Sequence, residues 1–388
     1  MARRNIATGI DIGTSRVRVI VAEFVKEKAA PVIIGIGEAE ARGMRHGYVI
    51  NTAEAADSIR EAVEAAEKKA NVKIKKAFIA VGGISVESET SSGSVFVSRA
   101  DNEITAADIA AAAEAAMEHI ANRMHNKSVI HEIPVSYKID GKEIPGRPEG
   151  MIGSRLEVQV LFITCLSQHL GDFTRAVEEA DIAVIDVMAS PIAASFATLT
   201  KRQKTAGCVL ANIGAETLSV AVFENGIPVS LKIFPIGGTA ITNDIALGFK
   251  IPLEEAEDLK RGSSIGAYPK KKLEEIIHAR LSDIFDLINA HLKKIGRSGL
   301  LPAGIILTGG SSSLPSIADL ARATLNIPSR IASPDFSKTT KDQLKDAQWA
   351  VAYGLCVMGI DGEGEGDGMR IARQGKNKIL SWVRQFLP

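Results

Sequence analysis

One twelve-residue phrase is written twice in this chain. Residues 10–21 read IDIGTSRVRVIV and residues 211–222 read ANIGAETLSVAV, and the two superpose at an offset of 201 residues. Ile12, Gly13, Val19 and Val21 recur as Ile213, Gly214, Val220 and Val222, while Asp11 becomes Asn212. Each copy carries β-branched residues on both sides of a glycine turn, the pattern of two strands joined by a tight hairpin. Such a turn can offer consecutive backbone N–H groups to an anion, because glycine lets the backbone approach closely and take positive φ. One turn of this kind specifies little. Two in equivalent places imply two similar half-molecules facing each other, with a nucleotide clamped between the hairpins.

The totals agree with a divided molecule. A chain of 388 residues is too long for one small core. Its 46% hydrophobic and 24% charged residues are ordinary for a globular protein, and a formal net charge of zero gives no reason to expect nucleic acid. Cys165, Cys208 and Cys356 are odd in number and widely spaced, which fits neither a disulfide framework nor a metal cluster, so they read as core residues of a reducing compartment. The seven histidines show no metal spacing. The start, MARRNIATGIDIG, has no signal-peptide shape, and no run approaches the roughly 18 apolar residues of a membrane span. The expectation is a cytoplasmic body.

Along the chain, residues 52–71 carry Ala, Ile and Val at helical spacing behind a Thr cap, and KKAFIAVGG (75–83) reads as a buried strand. Residues 84–165 have their own rhythm: a strand near 94–98, a helix from Thr105 to Met124 opened by a Thr105/Asp108 capping pair, and strands at 129–139 and 155–165. This reads as a small α+β insertion. Helices are expected at 167–180, 191–201, 238–248, 252–261 and 269–295, and DAQWAVAYGLCVMG closes the ordered body as an apolar helix. The glycine-acid run IDGEGEGDG then reads as a flexible linker.

With the glycine pairs of PIGGT (235–239) and LTGGSSSLP (307–315), the two turns resemble the actin-like ATPase superfamily. The resemblance implies a first phosphate loop at Asp11, Gly13, Thr14, Ser15 and Arg16, and a second at Asn212, Gly214, Ala215, Glu216 and Thr217. Gly237 and Gly238 match a further phosphate-side pair, and Gly309, Gly310 and Ser311 match the adenosine motif. In AEDLKR, Glu257 and Lys260 stand one helical turn apart, with Arg261 beside them, where the superfamily grips ribose and adenine. ATP and Mg²⁺ are the implied cofactors, with Asp11 the carboxylate that steers the metal.

Four further stretches narrow the resemblance: GMRHGYVINTAEAADSIREAVEAAEKKA, HEIPVSYKIDG, GSRLEVQVLFIT and GGTAITNDIA are similar to the FtsA family. That implies an α/β, actin-like two-lobed fold, a duplicated β-sheet core with an inserted α+β domain 1C and a C-terminal amphipathic helix. The expected divisions are domain 1A at 1–83 and 166–200, domain 1C at 84–165, domain 2A with a reduced 2B at 201–358, a linker at 359–375 and the terminal helix at 376–388. The implied function is an ATP-binding cytoskeletal protein that forms filaments with copies of itself on the cytoplasmic membrane. It would tether the FtsZ division ring through the FtsZ C-terminal tail and meet other division proteins.

The tail can be read from its residues alone. In KNKILSWVRQFLP, Ile379, Leu380, Trp382, Val383, Phe386 and Leu387 form one apolar stripe, and Lys376, Lys378 and Arg384 occupy the other side. A helix of this kind either docks on its own protein or lies on an anionic membrane surface, and the flexible linker before it favours the membrane. Each basic residue near an anionic leaflet contributes about 1 kcal/mol. A filament would multiply that attachment by presenting many copies.

The sequence also departs from its relatives. The second turn has Asn212 where the first has Asp11, and MASPIAAS places Ser190 where many vigorous ATPases have Glu. With both carboxylates gone, weak or absent hydrolysis is expected. Only AYPK (267–270) stands where the strands of subdomain 2B, the implied FtsZ-tail surface, are usual; Lys270, Lys271, Lys272 and Arg280 of the next helix could still offer a basic groove. The alternative reading is a PilM-like ATP-binding scaffold of pilus or secretion machinery. A small-molecule kinase would need a catalytic Asp in a substrate cleft, for which there is no candidate.

Overall fold

The computed structural model describes residues 5–25, 30–263, 268–332 and 347–361. The membrane-tail expectation, Lys376 to Leu387, lies outside the described residues, as does the linker from residue 362 onward. Residues up to Asp361 are helical, two residues beyond the Gly359 end of the expected closing helix and three beyond the expected domain boundary at 358.

The repeated phrase becomes two hairpins with one geometry. In the first, β1 (Ile6–Ile12) pairs antiparallel with β2 (Arg16–Glu23), Ile12 opposite Val17 and Asp11 opposite Arg18. β3 (Val32–Glu40) follows, then a small strap made of β4 (Met44–Arg45) and β5 (Tyr48–Val49). Helix α1 (Thr52–Ala70) leads to β6 (Lys76–Val81). The cap of α1 is Asn51, whose side chain accepts from the Glu54 N–H at 3.3 Å; Thr52, the expected cap, is already helical, one residue beyond the observed one. Helix α1 lies tight on β3 because Gly37 has no side chain: a Cβ there would stand 1.8 Å from the Ala62 carbonyl oxygen.

The chain then leaves the first lobe. The insertion comprises β7 (Glu87–Phe96), α2 (Ala106–Glu118), β8 (Lys127–Ile139), β9 (Lys142–Ile144) and β10 (Arg155–Leu166). Its strands and α2 close over a private core that includes Ile104, Ile109, Leu156, Val158 and Phe162. Thr105 and Asp108 form the expected capping box. Strand β7 starts seven residues earlier than the sequence suggested, and α2 ends at Glu118 rather than Met124, followed by one 3₁₀ turn over Ala121–Arg123.

Helix α3 (Ser167–Glu179), β11 (Ala183–Ala189) and α4 (Ser190–Thr198) return to the first lobe and then cross to the second through α5 (Lys201–Ala206). There β12 (Cys208–Ile213), β13 (Leu218–Glu224) and β14 (Ile227–Phe234) repeat the hairpin and its neighbour, with Ile213 opposite Leu218 and Asn212 opposite Ser219. Helices α6 (Gly238–Phe249), α7 (Leu253–Lys260) and α8 (Lys270–Lys294) follow with no strand between them among the described residues. Strand β15 (Ile305–Thr308), α9 (Ile317–Leu325), β16 (Ser329–Ile331) and α10 (Ala350–Asp361) end the fold.

Sheet order restates the duplication. The first sheet runs β11-β6-β1-β2-β3, and the second begins β16-β15-β12-β13-β14, the same arrangement of a hairpin with parallel strands on one side and an antiparallel strand on the other. The second sheet continues into the insertion as β7-β10-β8-β9. The joint between them is narrow: Lys232 pairs with Glu87, and the Ser88 hydroxyl both donates to the Leu231 carbonyl and accepts from its N–H.

Helix α10 lies across α4, the helix that leads on to α5 and the second lobe. A Cβ on Gly354 would stand 1.8 Å from the Ala193 carbonyl oxygen, so the helices touch backbone to backbone. Helix α10 then covers β1, where a Cβ on Gly9 would stand 2.3 Å from the Ala352 carbonyl oxygen. All three cysteines are buried free thiols.

Candidate functional site

Between the lobes lies a cleft of about 1060 Å³. Its floor is built by the two hairpin turns. Each turn closes with the same hydrogen bond, Gly13 N–H to the Arg16 carbonyl at 3.1 Å and Gly214 N–H to the Thr217 carbonyl at 2.9 Å. Asp11, Gly13, Thr14, Ser15 and Arg16 line it from the first lobe, and Asn212, Gly214, Ala215, Glu216 and Thr217 from the second. Gly238, Glu257, Lys260, Arg261, Gly309, Gly310 and Ser311 also line it. The structure therefore brings residues spread over 300 positions of sequence to one surface.

Gly237 is the exception among the sequence candidates. It stands behind the second turn, where a Cβ would meet the Ala215 carbonyl oxygen at 2.5 Å and the Gly214 carbonyl oxygen at 2.6 Å. The next two N–H groups hold that turn from behind: Gly238 donates to the Gly214 carbonyl at 2.9 Å and Thr239 to the Ala215 carbonyl at 2.8 Å. The first turn of α6 thus braces the hairpin while the hairpin satisfies the helix's free donors.

Asp11 sits at the cleft floor, and burial pushes its carboxyl up to about 6, against the pull of the facing Arg18 guanidinium. Arg18 itself pairs with Glu38 at 2.9 Å, hydrogen-bonds Gln348 and lies 5.7 Å from the centre of the Trp349 ring. Across the floor, Asn212 turns toward the third glycine loop: a Cβ on Gly309, whose φ is +88°, would stand 2.3 Å from Asn212 Oδ1. An uncharged amide here packs a loop. No group of three or more His, Cys, Asp or Glu side chains that could hold a metal occurs among the described residues.

The far end of the cleft is polar and tightly paired. Glu257 Oε2 accepts from Lys260 Nζ and from Thr242 Oγ1, both at 2.6 Å, and Glu257 Oε1 accepts from Arg261 Nε at 2.8 Å. Burial alone would raise the Glu257 carboxyl, but the bonds from Lys260 and Thr242 hold it below the usual range. Burial pulls the Lys260 ammonium down, partly offset by Glu257. Lys260 also donates to the Gly238 carbonyl at 3.1 Å, so the α7 pair is tied to the braced turn. The expected basic groove on α8 is largely consumed internally: Arg280 pairs with Asp244 at 2.6 Å, and Lys272 donates to the Gly248 carbonyl at 2.6 Å.

Several lining residues were not among the sequence candidates. Gly82 and Gly83 follow β6 as Gly309 and Gly310 follow β15, and the parallel was written in the chain as AVGG and LTGG. Arg18 follows from the hairpin register, which sets it opposite Asp11. Ser190, which the sequence singles out as the place of a missing carboxylate, lines the cleft at the start of α4, its Oγ 3.2 Å from where a Gly82 Cβ would be. The strap residue Gly47 also lines it, and no local signal marked it.

Comparison with known proteins covers most of the chain. A family model for the cell division protein FtsA matches residues 209–354, and a model for the SHS2 domain inserted in FtsA matches residues 83–164. The cell division protein FtsA of Bacillus subtilis is 31% identical over 377 residues, which span 92% of this chain and 83% of the relative. The FtsA proteins of Borreliella burgdorferi and Pseudomonas aeruginosa are 32% and 30% identical, each 91% covered. Among solved structures, a chain of a PilM-PilN type IV pilus biogenesis complex superposes with a TM-score of 0.69 at 18% identity, covering 91% of this chain and 98% of that one. The ethanolamine utilization protein EutJ from Carboxydothermus hydrogenoformans gives 0.56 at 15% identity, covering 91% and 89%. These structural likenesses speak to the fold, which is actin-like.

Proposed function

The chain belongs to the FtsA family of cell division proteins, and from that premise we propose that its interlobe cleft binds ATP with Mg²⁺ and that the protein assembles into membrane-attached filaments. The reading is carried by one observation: two hairpin turns with the same closing hydrogen bond stand on the floor of a single cleft. Backbone N–H groups of glycine turns are suited to phosphate oxygens. The braced second turn and the open side of Gly310, where a Cβ would meet nothing within 4 Å, leave room for the ligand.

The donor set fits the metal as well. Mg²⁺ keeps most of its waters and needs one or two carboxylates. Asp11 is a single buried carboxyl raised to about 6, a charge that a nearby cation would stabilise. Glu257, Lys260 and Arg261 would hold the ribose and base end. Mg²⁺, when bound, would neutralise phosphate charge. Hydrolysis is proposed to be weak or absent, because Asn212 and Ser190 carry no carboxylate to activate water.

Attachment to an anionic membrane surface is assigned to residues 376–388, and self-assembly would raise it by multivalency. The FtsZ C-terminal tail and other division proteins are the proposed partners. With no strand described between α7 and α8, the tail would meet a smaller surface than in relatives with a full subdomain 2B. No helix among the described residues is long and apolar enough to cross a membrane. The test is electron microscopy on anionic lipid monolayers with Mg·ATP, with and without residues 376–388. Filaments on the lipid that vanish with the deletion are expected; equal decoration by the truncated chain would refute the membrane assignment.

A further inference from the structure

We infer that the strap Met44–Val49 is a latch between the lobes, with Glu216 of the second turn as its catch and His169 as the positioning residue that holds it shut. The inference rests on the cleft being the nucleotide site. The strap and His169 lie outside the two-turn reading, whereas Thr14 and Glu216, which the strap touches, belong to the turns themselves.

The strap belongs to the first lobe, yet it touches both turns. The Gly47 N–H donates to Thr14 Oγ1 at 3.2 Å in the first turn. One residue earlier, the His46 N–H donates to Glu216 Oε2 at 2.6 Å in the second. This is a bond to a carboxylate, the stronger kind, and it crosses the cleft. His46 Nδ1 is shielded from solvent without a hydrogen-bond partner and stands 3.7 Å from the same carboxylate oxygen, so a slight further closure would add a second bond.

The strap's position is fixed from behind. His169, buried on α3, has Nε2 3.0 Å from the Gly47 carbonyl and Nδ1 2.5 Å from the Ser85 hydroxyl. With a carbonyl at Nε2, that nitrogen carries the proton, and Ser85 donates to Nδ1. Tyr48 stacks on the ring at 4.2 Å between centroids, and Phe173 meets its edge at 5.0 Å. Gly47 and Gly83, both at positive φ, pack with no space: a Cβ on Gly47 would lie 2.4 Å from Gly83 Cα, and one on Gly83 would lie 2.7 Å from His169 Cε1. The strap therefore cannot drop away from the cleft unless this stack opens. Ser85 is at the root of the insertion, so the same stack joins the insertion to the cleft.

Linkage fixes the direction of the effect. A contact made only when the lobes are close favours the closed state, and a nucleotide held by both turns favours it too, so each must strengthen the other. The latch thus sets how much closing energy the nucleotide must supply by itself.

The test measures backbone hydrogen exchange in residues 43–50 and Mg·ATP affinity on the full chain, for the wild type, His169→Ala and His169→Gln. In the ligand-free protein, His169→Ala is expected to speed strap exchange, and to weaken Mg·ATP about tenfold. His169→Gln, which can still donate to the Gly47 carbonyl, is expected to recover much of both. Unchanged strap exchange in His169→Ala overturns the latch. So does unchanged affinity, provided the wild type binds Mg·ATP. A wild type that fails to bind sinks the nucleotide reading instead, while the exchange data still decide the latch. Should His169→Ala not fold, Glu216→Ala and Glu216→Gln serve for exchange: the first should release the His46 amide and the second should keep it protected, and equal protection in both contradicts the catch.

Discussion

At the residue scale, three buried groups set how the protein responds to acid. His131 accepts from the Ala189 N–H through Nε2 at 3.0 Å, and burial pulls it down to about 3. Burial likewise pulls His169 down to about 4. Both stay neutral when folded, while the unfolded chain takes up protons near 6.5, so stability falls as pH drops below that value. At pH 5 each costs about 2 kcal/mol. Asp11 works in the other direction: its folded value, about 6, exceeds the unfolded 3.8, so its burial destabilises the ionised form, and acidification from pH 7 to 5 returns about 1 kcal/mol. A net loss over that interval is expected in thermal melts, reduced by about 2 kcal/mol in His131→Gln, which keeps an acceptor for the Ala189 N–H. The same bookkeeping predicts that Asp11→Asn stabilises the metal-free protein above pH 7, by up to about 3 kcal/mol, while removing any Mg²⁺ dependence of nucleotide binding. Melting in EDTA across pH checks the first part, and calorimetry with and without Mg²⁺ the second.

At the element scale, backbone contacts between helices hold the lobes together. Gly354 is where α10 crosses α4, and Gly354→Ala forces a methyl group into the Ala193 carbonyl, so a loss of about 3 kcal/mol is expected in urea unfolding, the upper range for overpacking. On α7, Lys260→Ala removes a donor shared by Glu257, Thr242 and the Gly238 carbonyl; Mg·ATP affinity should fall at least about tenfold if that end holds the nucleoside. Fluorescence titration reads this directly. The hairpins were legible in the sequence because a glycine turn between β-branched runs leaves little choice. Strand β7 was placed seven residues late because ESETSSGS has little strand character of its own; pairing with β10, from Thr164 opposite Glu87 onward, decides it. The strap was illegible for a related reason: His46 and Gly47 matter through Glu216, Gly83 and His169, none of which is near them in sequence. Asn51 and Thr52 are both capping types in adjacent places, and local sequence alone does not choose between them.

At the scale of the whole molecule, the chain is a duplicated sheet whose copies face each other, with an insertion spliced into one copy and hydrogen-bonded to the edge of the other. That arrangement brings the lobes, the strap and the crossing helices together at the cleft, which Gly47, Ser190 and Val351 all line. Hydrolysis is expected below about 1 per second, the low end of ordinary enzymes; a phosphate-release assay at saturating Mg·ATP measures it, and faster turnover would show that Asp11 and Glu216 suffice. The central claim is that two turns from opposite lobes grip one triphosphate, and an experimental structure of the protein soaked with Mg·ATP tests it most directly. Phosphate density between Gly13 and Gly214, with the base against Glu257 and Lys260, is the predicted result. An empty cleft at saturating ligand, or nucleotide bound elsewhere, would contradict it.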